Sequence, residues 1–330
     1  MMQATARAHT NIALIKYWGK RNESLILPMN GSVSMTLDEF YTTTTVTFRE
    51  NLGHDVFVLN GKEENYKEQE KVSSFLDLVR ILGKSQLHAE ISSINRVPTS
   101  AGLASSASGF AALAAAAVKA LGLDLSGPEL SRLARQGSGS ACRSIYGGFV
   151  EWQRGELSDG SDSYGVQLAA KDYWDLRILV TILERSPKEI SSRDGMRRTV
   201  ETSPFYPGWL STVDEDLKLA KEAILRRDFD ALGRVTEANA LKMHATTLAA
   251  SPPFTYWQSA TLSVMNEVSR MRTAGLSVYF TMDAGPNLKV LCEPKDESSA
   301  RDILLSVPGV QDVISCKLGP SVAYLQEVTV

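Results

Sequence analysis

Five short segments of the chain combine residue types that bind anions or move protons. The first, residues 102–109 (GLASSASG), places small residues and serines directly before an alanine-rich run. Small side chains let a backbone approach a ligand closely, and the unpaired N–H groups at a helix start attract phosphate. No Gly-Lys-Ser/Thr follows, so the segment is not a Walker A loop. It predicts a triphosphate loop, although composition alone fits a buried alanine-rich helix behind a polar turn equally well.

Three further segments place cations beside hydroxyl groups or aromatic rings. They are residues 11–20 (NIALIKYWGK), 138–143 (SGSACR) and 191–196 (SSRDGM). Arginine binds carboxylate and phosphate through two parallel hydrogen bonds, and hydroxyl groups supply further donors. Each segment alone is typical of a solvated turn. Together they concentrate positive charge where the backbone can approach an anion.

The fifth segment, residues 281–287 (TMDAGPN), ends a strand-like run with Asp283 just before a tight turn. A carboxylate in that position can act on a substrate proton. From spacing alone, a turn-capping aspartate is the simpler interpretation. The four histidines have no metal-ligand spacing, and the three cysteines lack the paired C-x-x-C pattern of a zinc site. We therefore interpret the histidines as structural or surface residues and the thiols as reduced.

The composition is that of a folded, water-soluble protein of 330 residues, of which 43% are hydrophobic. Its net charge of -3 provides no global field toward nucleic acid or an anionic membrane. We see no signal peptide, and the longest weakly polar run, residues 109–123, contains Lys119 and is mostly alanine. We expect a cytoplasmic protein that binds neither nucleic acid nor membranes.

Hydrophobic periodicity predicts alternating strands and helices. Residues 41–48 and 54–59 are rich in β-formers around a polar turn, and we expect them to pair as antiparallel strands. Residues 62–82 carry apolar side chains at helical spacing, with Leu82 on the buried face. Ser126 and Glu129 have the spacing of a capping box at the start of another helix.

The second half of the chain is helix-rich and ends in strands. The apolar run at residues 176–183 predicts a central strand that closes a first domain. Amphipathic runs predict helices at residues 209–225, 229–244 and 256–273, and strands follow at residues 278–282 and 288–292. We expect an α+β protein with two domains. Their predicted ranges are residues 1–184 and 185–330, with the active site in the cleft between them.

The motifs HTNIALIKYWGK, PTSAGLASSASG, SGSACRS, SSRDGM and TMDAGPN resemble, in the same order, those of the diphosphomevalonate decarboxylase family, especially its bacterial members. The glycine-serine loop alone would indicate only the wider superfamily of galactokinase, homoserine kinase, mevalonate kinase and phosphomevalonate kinase (GHMP). The resemblance implies the GHMP kinase fold, with a ribosomal protein S5 domain 2-like N-terminal domain that binds ATP and a ferredoxin-like C-terminal domain. It also implies a homodimer.

The same resemblance implies conversion of mevalonate 5-diphosphate and ATP to isopentenyl diphosphate, ADP, phosphate and CO2, with Mg2+, in the mevalonate route of isoprenoid biosynthesis. Phosphorylating the tertiary alcohol replaces departure of hydroxide by departure of phosphate. The alternatives within the superfamily are a mevalonate 3-kinase and a decarboxylase of the monophosphate. A non-catalytic ligand sensor should have lost the acid or the phosphate loop, and the sequence retains both.

By motif position, the resemblance assigns roles to three sets of residues. The implied catalytic residues are Asp283, which would orient or deprotonate the 3-hydroxyl, Lys16 and Asn11. The implied substrate-binding residues are Tyr17, Lys20, Ser138, Ser140, Arg143 (facing the carboxylate), Ser192 and Arg193. The implied ATP-binding residues are Ser93, Asn95, Gly102, Leu103, Ala104, Ser105, Ser106, Ser108 and Lys188, with Ser106 the candidate magnesium ligand.

Overall fold

The computed structural model describes residues 2–97, 105–183 and 190–326. The predicted ATP-binding residues Gly102, Leu103, Ala104 and Lys188 lie outside these ranges. The strands are β1 (Gln3–Ile15), β2 (Lys20–Asn22), β3 (Leu27–Pro28), β4 (Ser32–Arg49), β5 (Val56–Leu59), β6 (Lys62–Glu63), β7 (His88–Asn95), β8 (Phe149–Trp152), β9 (Gly165–Ala169), β10 (Arg177–Ile182), β11 (Val278–Met282), β12 (Leu288–Cys292), β13 (Asp312–Cys316) and β14 (Ala323–Leu325).

The α-helices are α1 (Tyr66–Gly83), α2 (Ser105–Ala120), α3 (Gly127–Gly137), α4 (Ser192–Thr202), α5 (Tyr206–Arg226), α6 (Phe229–Leu248), α7 (Ser259–Thr273) and α8 (Glu297–Ser306). Short 3₁₀ helices cover Gly139–Ile145 and Pro294–Asp296. None of these helices, within the parts of the chain that the structure describes, has the length and apolar composition needed to cross a bilayer.

The first sheet has eight strands in the order β14-β1-β4-β7-β5-β6, and β8 and β9 extend it from β4. Its central strand β4 is threonine-rich, and β-branched side chains favour extended backbone. β5 pairs in parallel with β7, not with β4. The predicted antiparallel pairing of residues 41–48 with 54–59 is therefore wrong. Helix α1 connects β6 to β7, and β7 occupies the place between β4 and β5.

Helices α1, α2 and α3 cover one face of the first sheet. The alanine side chains of α2 are short enough for the helix to lie directly on β1 and β4. Helix α1 buries an apolar stripe that includes Val72 and Val79. The stripe continues at Gly83, where an added Cβ would lie 2.8 Å from Leu121. Leu82 is instead 50% exposed, so its predicted burial is wrong.

The second sheet is antiparallel, with the order β11-β12-β10-β13. β10 is buried along its whole length and pairs with β12 and β13. The sequence predicts that this strand closes the first domain, whereas in the structure it pairs with strands of the second half of the chain. Periodicity shows that a strand is central but not to which sheet it belongs. The predicted boundary between residues 184 and 185 lies outside the described residues and stays a prediction. β14 returns from the end of the chain to pair with β1.

One apolar core joins the two halves of the molecule. It contains Ile12 and Leu14 from β1, Trp209 from α5, Leu232 from α6 and Leu291 from β12. Two other clusters lie within single halves, one beneath α1 to α3 and one between the second sheet and helices α7 and α8. The shared core fixes the turn after β11 against the end of β1, and the candidate site lies at that junction.

Candidate active site

The β11–β12 hairpin carries Asp283 to the junction between the sheets. Met282 pairs with Leu288, which leaves a five-residue connection, DAGPN, between the strands. The backbone N–H of Gly285 donates to the Asp283 carbonyl oxygen at 2.8 Å and tightens the turn. The Asp283 side chain is 22% exposed, so part of its carboxylate remains accessible. The turn therefore presents an acid at the edge of an otherwise buried junction.

Lys16 lies directly beyond β1 and is bonded to this acid. The pairing of β1 with β4 shifts register between Ala13 and Ile15, and such bulges redirect the side chains that follow. The Lys16 Nζ atom donates to Asp283 Oδ1 and to the Ala13 carbonyl oxygen, both at 2.7 Å. Burial lowers the pKa of Lys16 more than the Asp283 charge raises it. Lys16 and Asp283, both predicted catalytic residues, thus form an ion pair in which the lysine is buried and the carboxylate is partly exposed.

Helix α6 holds the Lys16 backbone in place. The Lys16 N–H donates to Asn239 Oδ1 at 2.8 Å, and Asn239 Nδ2 donates to Asp216 Oδ2 on α5 at the same distance. Asn239 is fully buried, so both ends of its amide need partners. Sequence reasoning missed this residue, because nothing local to α6 indicates which backbone group its amide meets.

Arg143 lies in the 3₁₀ helix Gly139–Ile145 and is held by neutral oxygen atoms. Its Nε donates to Asn11 Oδ1 at 3.2 Å and to Ser34 Oγ at 3.0 Å, and its Nη1 donates to Ser32 Oγ at 2.6 Å. Burial lowers its pKa, but a guanidinium remains charged in proteins. A buried cation surrounded by hydroxyl and amide oxygens attracts an anionic ligand.

Asn11 is buried and is hydrogen-bonded to Arg143. Its Nδ2 donates to the Ser140 carbonyl oxygen at 3.0 Å and to Ser144 Oγ at 2.8 Å, while its Oδ1 accepts from Arg143. Both ends of the amide are therefore bonded within the protein. The structure thus brings Asn11 into contact with Arg143, one of the predicted substrate-binding residues.

Tyr17 lies next to the serines of the 3₁₀ helix. Its ring is 4.6 Å from the ring of Trp152, centroid to centroid, and both rings pack against Gly139. Within the described ranges, its hydroxyl is buried and has no hydrogen-bond partner. Burial raises the pKa of Tyr17, so the hydroxyl keeps its proton as a donor. An unsatisfied buried donor fits a ligand oxygen, as the prediction of substrate binding requires.

Helix α4 brings Arg193 and Ser192 toward Tyr17. Gly19 has φ +103°, and an added Cβ would lie 2.9 Å from Val200 Cγ2 on α4. The helix thus packs directly on the loop after Tyr17, and the Arg193 charge acts to lower the Tyr17 pKa against the larger effect of burial. Arg193 is exposed and Ser192 half-buried at the first turn of α4.

Lys20 follows the same loop, but its ammonium is bonded within the protein. Its Nζ is 2.5 Å from Glu23 Oε2, and the lysine side chain is 5% exposed while that of Glu23 is 63% exposed. A diphosphate on Lys20 would therefore have to compete with Glu23 or share the cation with it.

A cavity of about 180 Å³ opens between α1, α2 and the strands β4, β5 and β7. Four predicted nucleotide-binding residues line it, namely Ser93, Asn95, Ser105 and Ser106. The lining residues that were not predicted are mostly apolar and include one threonine, one glutamate and one lysine. They are Thr42, Phe57, Leu59, Glu68, Lys71, Val72, Gly109, Phe110 and Leu113. They come from four elements, so no single motif marks them.

Ser108 is placed differently from the other predicted loop serines. It is fully buried, and its hydroxyl is hydrogen-bonded to Thr42 at 2.8 Å and to Thr10 at 3.2 Å. Ser105 and Ser106 are exposed on the first turn of α2. The position of Ser108 thus favours a role in holding the helix start against β1 and β4.

The cavity lies next to the segment that carries Arg143. Ser106 Oγ lies 3.2 Å from Ser138 Oγ, and Ser138 begins the 3₁₀ segment that carries Arg143. In the described ranges no group of three or more His, Cys, Asp or Glu side chains could hold a metal. Hydroxyl oxygens at a phosphate site do fit magnesium, which binds few protein groups and takes other ligands from phosphates and water.

Two buried residues beside Asp283 were not singled out by sequence reasoning. Lys289 on β12 is fully buried, with its Nζ 3.8 Å from Asp283 Oδ2. His244 on α6 packs against Tyr256 and Trp257, and burial lowers its pKa to about 3, with a further lowering by the Lys16 charge. The only sequence signal was a lysine inside the apolar strand LKVLC.

The molecule has two α+β halves around a shared core, and its cavity, lined in part by serines, lies near buried cations and one acid. These features are those of a phosphate-handling protein of the GHMP kinase fold. Residues 8–165 match the family model of the diphosphomevalonate decarboxylase-like N-terminal domain, and residues 178–322 match that of the mevalonate 5-diphosphate decarboxylase C-terminal domain. The chain belongs to the diphosphomevalonate decarboxylase family.

Individual relatives agree with the family model. A diphosphomevalonate decarboxylase from Ganoderma lucidum is 42% identical over 316 residues, which cover 89% of this chain and 79% of that protein. The mevalonate diphosphate decarboxylase from Enterococcus faecalis is 51% identical, with a TM-score of 0.92 over 98% of this chain and 99% of that one. A further structure, MDDEF in complex with MVAPP, AMPPCP and magnesium, is 51% identical with a TM-score of 0.93 over the same shares. The predicted fold class and family are confirmed.

Proposed function

We propose that the protein is a carboxy-lyase that converts mevalonate 5-diphosphate and ATP to isopentenyl diphosphate, ADP, phosphate and CO2, in the mevalonate route of isoprenoid biosynthesis. The observation that carries the proposal is the Asp283 carboxylate, bonded to buried Lys16 at 2.7 Å and partly open to the cleft. The relatives that match nearly the whole chain are decarboxylases of this substrate.

In the proposed reaction, Asp283 accepts a hydrogen bond from the 3-hydroxyl of the substrate and orients it toward ATP. Lys16 donates a hydrogen bond to Oδ1 of the same carboxylate, and its positive charge keeps that carboxylate ionised. The γ-phosphoryl group of ATP passes to the 3-oxygen as its bond to ADP breaks, and the hydroxyl proton leaves through Asp283 to solvent. Departure of phosphate then leaves positive charge at C3, which is cancelled when the bond to the departing CO2 breaks and its electron pair forms the double bond of the product. A fixed carboxylate nearby stabilises that charge as it develops, and its effect is strong in a site with little water.

Arg143 is proposed to bind the carboxylate that leaves as CO2. Its guanidinium is oriented by Asn11, Ser32 and Ser34 before any ligand arrives, so no reorganisation is needed when the anion binds. With the substrate carboxylate on Arg143 and the 3-hydroxyl on Asp283, the two groups that leave the substrate would both be held in place. This arrangement favours decarboxylation over simple phosphorylation.

The substrate diphosphate is proposed to lie between the loop after β1, the 3₁₀ segment and α4. The donors available there are Tyr17, Lys20, Ser138, Ser140, Ser192 and Arg193. Six donors are enough for a diphosphate, whereas a monophosphate would leave several unpaired. The buried Tyr17 hydroxyl is the clearest of these, because it otherwise lacks an acceptor among the described residues.

ATP is proposed to bind in the cavity, with its phosphates toward Ser105 and Ser106, and Lys71 is added to the predicted set as a cation on the cavity wall. Magnesium, with Ser106 as its proposed protein ligand, would neutralise charge on the transferred phosphoryl group. Gly102, Leu103, Ala104 and Lys188 remain part of the proposal from their motif positions. A cytoplasmic location and a homodimeric assembly are further expectations, and light scattering after size-exclusion chromatography tests the assembly.

The stoichiometry of the reaction tests the proposal. Purified protein is given magnesium, ATP and, in parallel, mevalonate, mevalonate 5-phosphate or mevalonate 5-diphosphate. We expect equal amounts of ADP, phosphate and CO2 from the diphosphate alone, and none without magnesium. ADP without CO2 would identify a 3-kinase, and CO2 from the monophosphate would identify the other decarboxylase. Binding without any product would indicate a sensor.

A further inference from the structure

Lys289 is a charged residue on a strand whose side chains are all buried. It lies on β12 between β11 and β10, directly opposite Thr281 and Val180. Its neighbours Leu288 and Val290 point to the core beneath α7 and α8, so Lys289 points to the other face, toward the core shared by the two halves. The residue is fully buried.

A buried ammonium group costs free energy unless it is paired and hydrogen-bonded. An apolar residue at this position would extend the shared core, in which Val180 and Leu291 already lie. The Lys289 Nζ instead donates to the Asn287 carbonyl oxygen at 3.0 Å and faces Asp283 Oδ2 at 3.8 Å. The charge is therefore directed at the hairpin turn that carries the acid.

Among the described residues, charged and titratable groups from four parts of the chain act on Asp283, and they are mostly cationic. Lys16 beyond β1 bonds Oδ1, and Lys289 on β12 faces Oδ2. Arg143 of the 3₁₀ segment acts on the same carboxylate at longer range. His244 on α6 stays neutral, because burial and the nearby lysine charges hold its pKa near 3. The acid is thus set between two lysines that lie on different oxygens.

We propose that Lys289 is a positioning residue for the proposed decarboxylation: its buried ammonium, opposite Lys16, keeps the Asp283 carboxylate charged and fixes its plane so that the exposed edge meets the substrate hydroxyl. This inference rests on the proposed function. Lys289 itself does not touch the substrate, because it is fully buried behind the turn. A cation within about 4–6 Å lowers the pKa of a carboxyl group by roughly 1–3 units.

Replacing the charge while keeping the shape tests the inference. In Lys289→Met, the acidic limb of the kcat–pH profile should move up by about 1–3 pH units, so the loss of turnover grows as the pH falls. The KM for ATP should stay the same, because the cavity is lined by other residues. Lys289→Arg should keep the limb of the wild type. An unshifted limb in Lys289→Met would overturn the inference.

The control is Lys221→Met, which removes a partly exposed lysine bonded to the largely buried carboxylate of Glu151 at 2.8 Å. Its kcat–pH profile should match that of the wild type. Thermal unfolding of each variant checks the fold, and Lys289→Gln replaces the methionine variant if the latter does not fold. A shift of the same size in Lys221→Met would show a general charge effect and would also overturn the inference.

A readout independent of activity separates this inference from the proposed function. The carboxyl carbon of Asp283 can be titrated by NMR in protein labelled with ¹³C-aspartate, with Asp283→Asn identifying the resonance. Its midpoint should rise in Lys289→Met and not in Lys221→Met. If the wild type releases no CO2, the proposed function fails, but the titration still decides the role of Lys289. An unchanged midpoint in Lys289→Met rejects that role even in an active decarboxylase.

Discussion

The proposed reaction centre around Asp283 and the cavity proposed to bind ATP are built in opposite ways. At the reaction centre, Lys16, Arg143 and Asp283 come from distant parts of the chain and have short hydrogen bonds or ion pairs without a ligand. In the cavity, Ser105 and Ser106 are exposed, and most of the wall is apolar or hydroxylated. One region has its charges fixed in advance, whereas the other offers space and weak donors.

The difference shows where each kind of interaction is useful. Charges that act on a transition state must be oriented beforehand, since reorganisation at the moment of reaction would cancel their effect. A nucleotide is held over a large surface by many small contacts, so its site tolerates exposed and adaptable groups. Changes at the centre should therefore lower turnover, and changes in the cavity should weaken nucleotide binding.

The largest effect is expected for Asp283→Asn, which keeps the shape of the acid and removes its charge. Loss of the charge ends both proton transfer and stabilisation of positive charge, and general-base catalysis alone contributes about 10²- to 10⁴-fold. We expect kcat to fall by at least this factor, with binding of both ligands retained in calorimetry. Turnover near that of the wild type would remove Asp283 from the mechanism.

Arg143→Lys keeps the charge of the arginine and removes its planar fork. A lysine cannot bond Asn11, Ser32 and Ser34 and also present two donors to a carboxylate. The loss of one charge-assisted hydrogen bond is about 1.5–3 kcal/mol, which corresponds to a roughly 10- to 150-fold lower kcat/KM for the substrate. The KM for ATP should not change. Equal losses for both substrates would contradict the assigned role.

His244 should make the free energy of unfolding of the protein fall at acidic pH. Its folded-state pKa near 3 lies below the usual 6.5, so the unfolded chain binds the proton first as the pH falls. The stabilisation is complete above pH 6.5 and is lost as the pH falls toward 3. Between pH 7.5 and 5.5 the loss is about 1.4 kcal/mol. Urea unfolding should show this slope in the wild type but not in His244→Phe, and identical slopes would refute it.

The smallest effect is expected for Lys71→Met in the cavity. The Lys71 side chain is 40% exposed and only 3.6 Å from the Glu68 carboxylate, so its contribution to phosphate binding is screened. We expect the KM for ATP to rise about 3- to 10-fold, or ~0.7–1.4 kcal/mol, with kcat unchanged. Lys62→Met, on exposed β6, is the control. A fall in kcat without a change in KM would place Lys71 at the reaction centre instead.

Much of the secondary structure could be predicted, because it depends on neighbouring residues. The strands at residues 278–282 and 288–292 match β11 and β12, and the Ser126 N–H donates to Glu129 as the capping box requires. The pairing of β5 with β7 and the sheet to which β10 belongs could not be predicted in this way. Periodicity identifies a buried strand but carries no information about its partner.

The residues of the candidate site also fall into those that the sequence could predict and those that it could not. Motif resemblance named Lys16, Arg143 and Asp283, and the structure brings these three together. It did not reveal Lys289 or Asn239, whose importance depends on which distant group each side chain faces. It also could not show that Ser108 is buried while Ser105 and Ser106 are exposed on the same helical turn.

By itself, the sequence determined most of the local elements and the family, and it named the candidate site residues. Propensity and capping depend on neighbouring positions, and the order of the motifs can be followed along the chain. Only the tertiary structure decided the charge environment of the acid. Lys16 and Asp283 are separated by 267 positions, yet their charged atoms lie 2.7 Å apart in a buried junction. Electrostatic strength depends on distance and on the exclusion of water, and both are set by how the two sheets pack across their shared core.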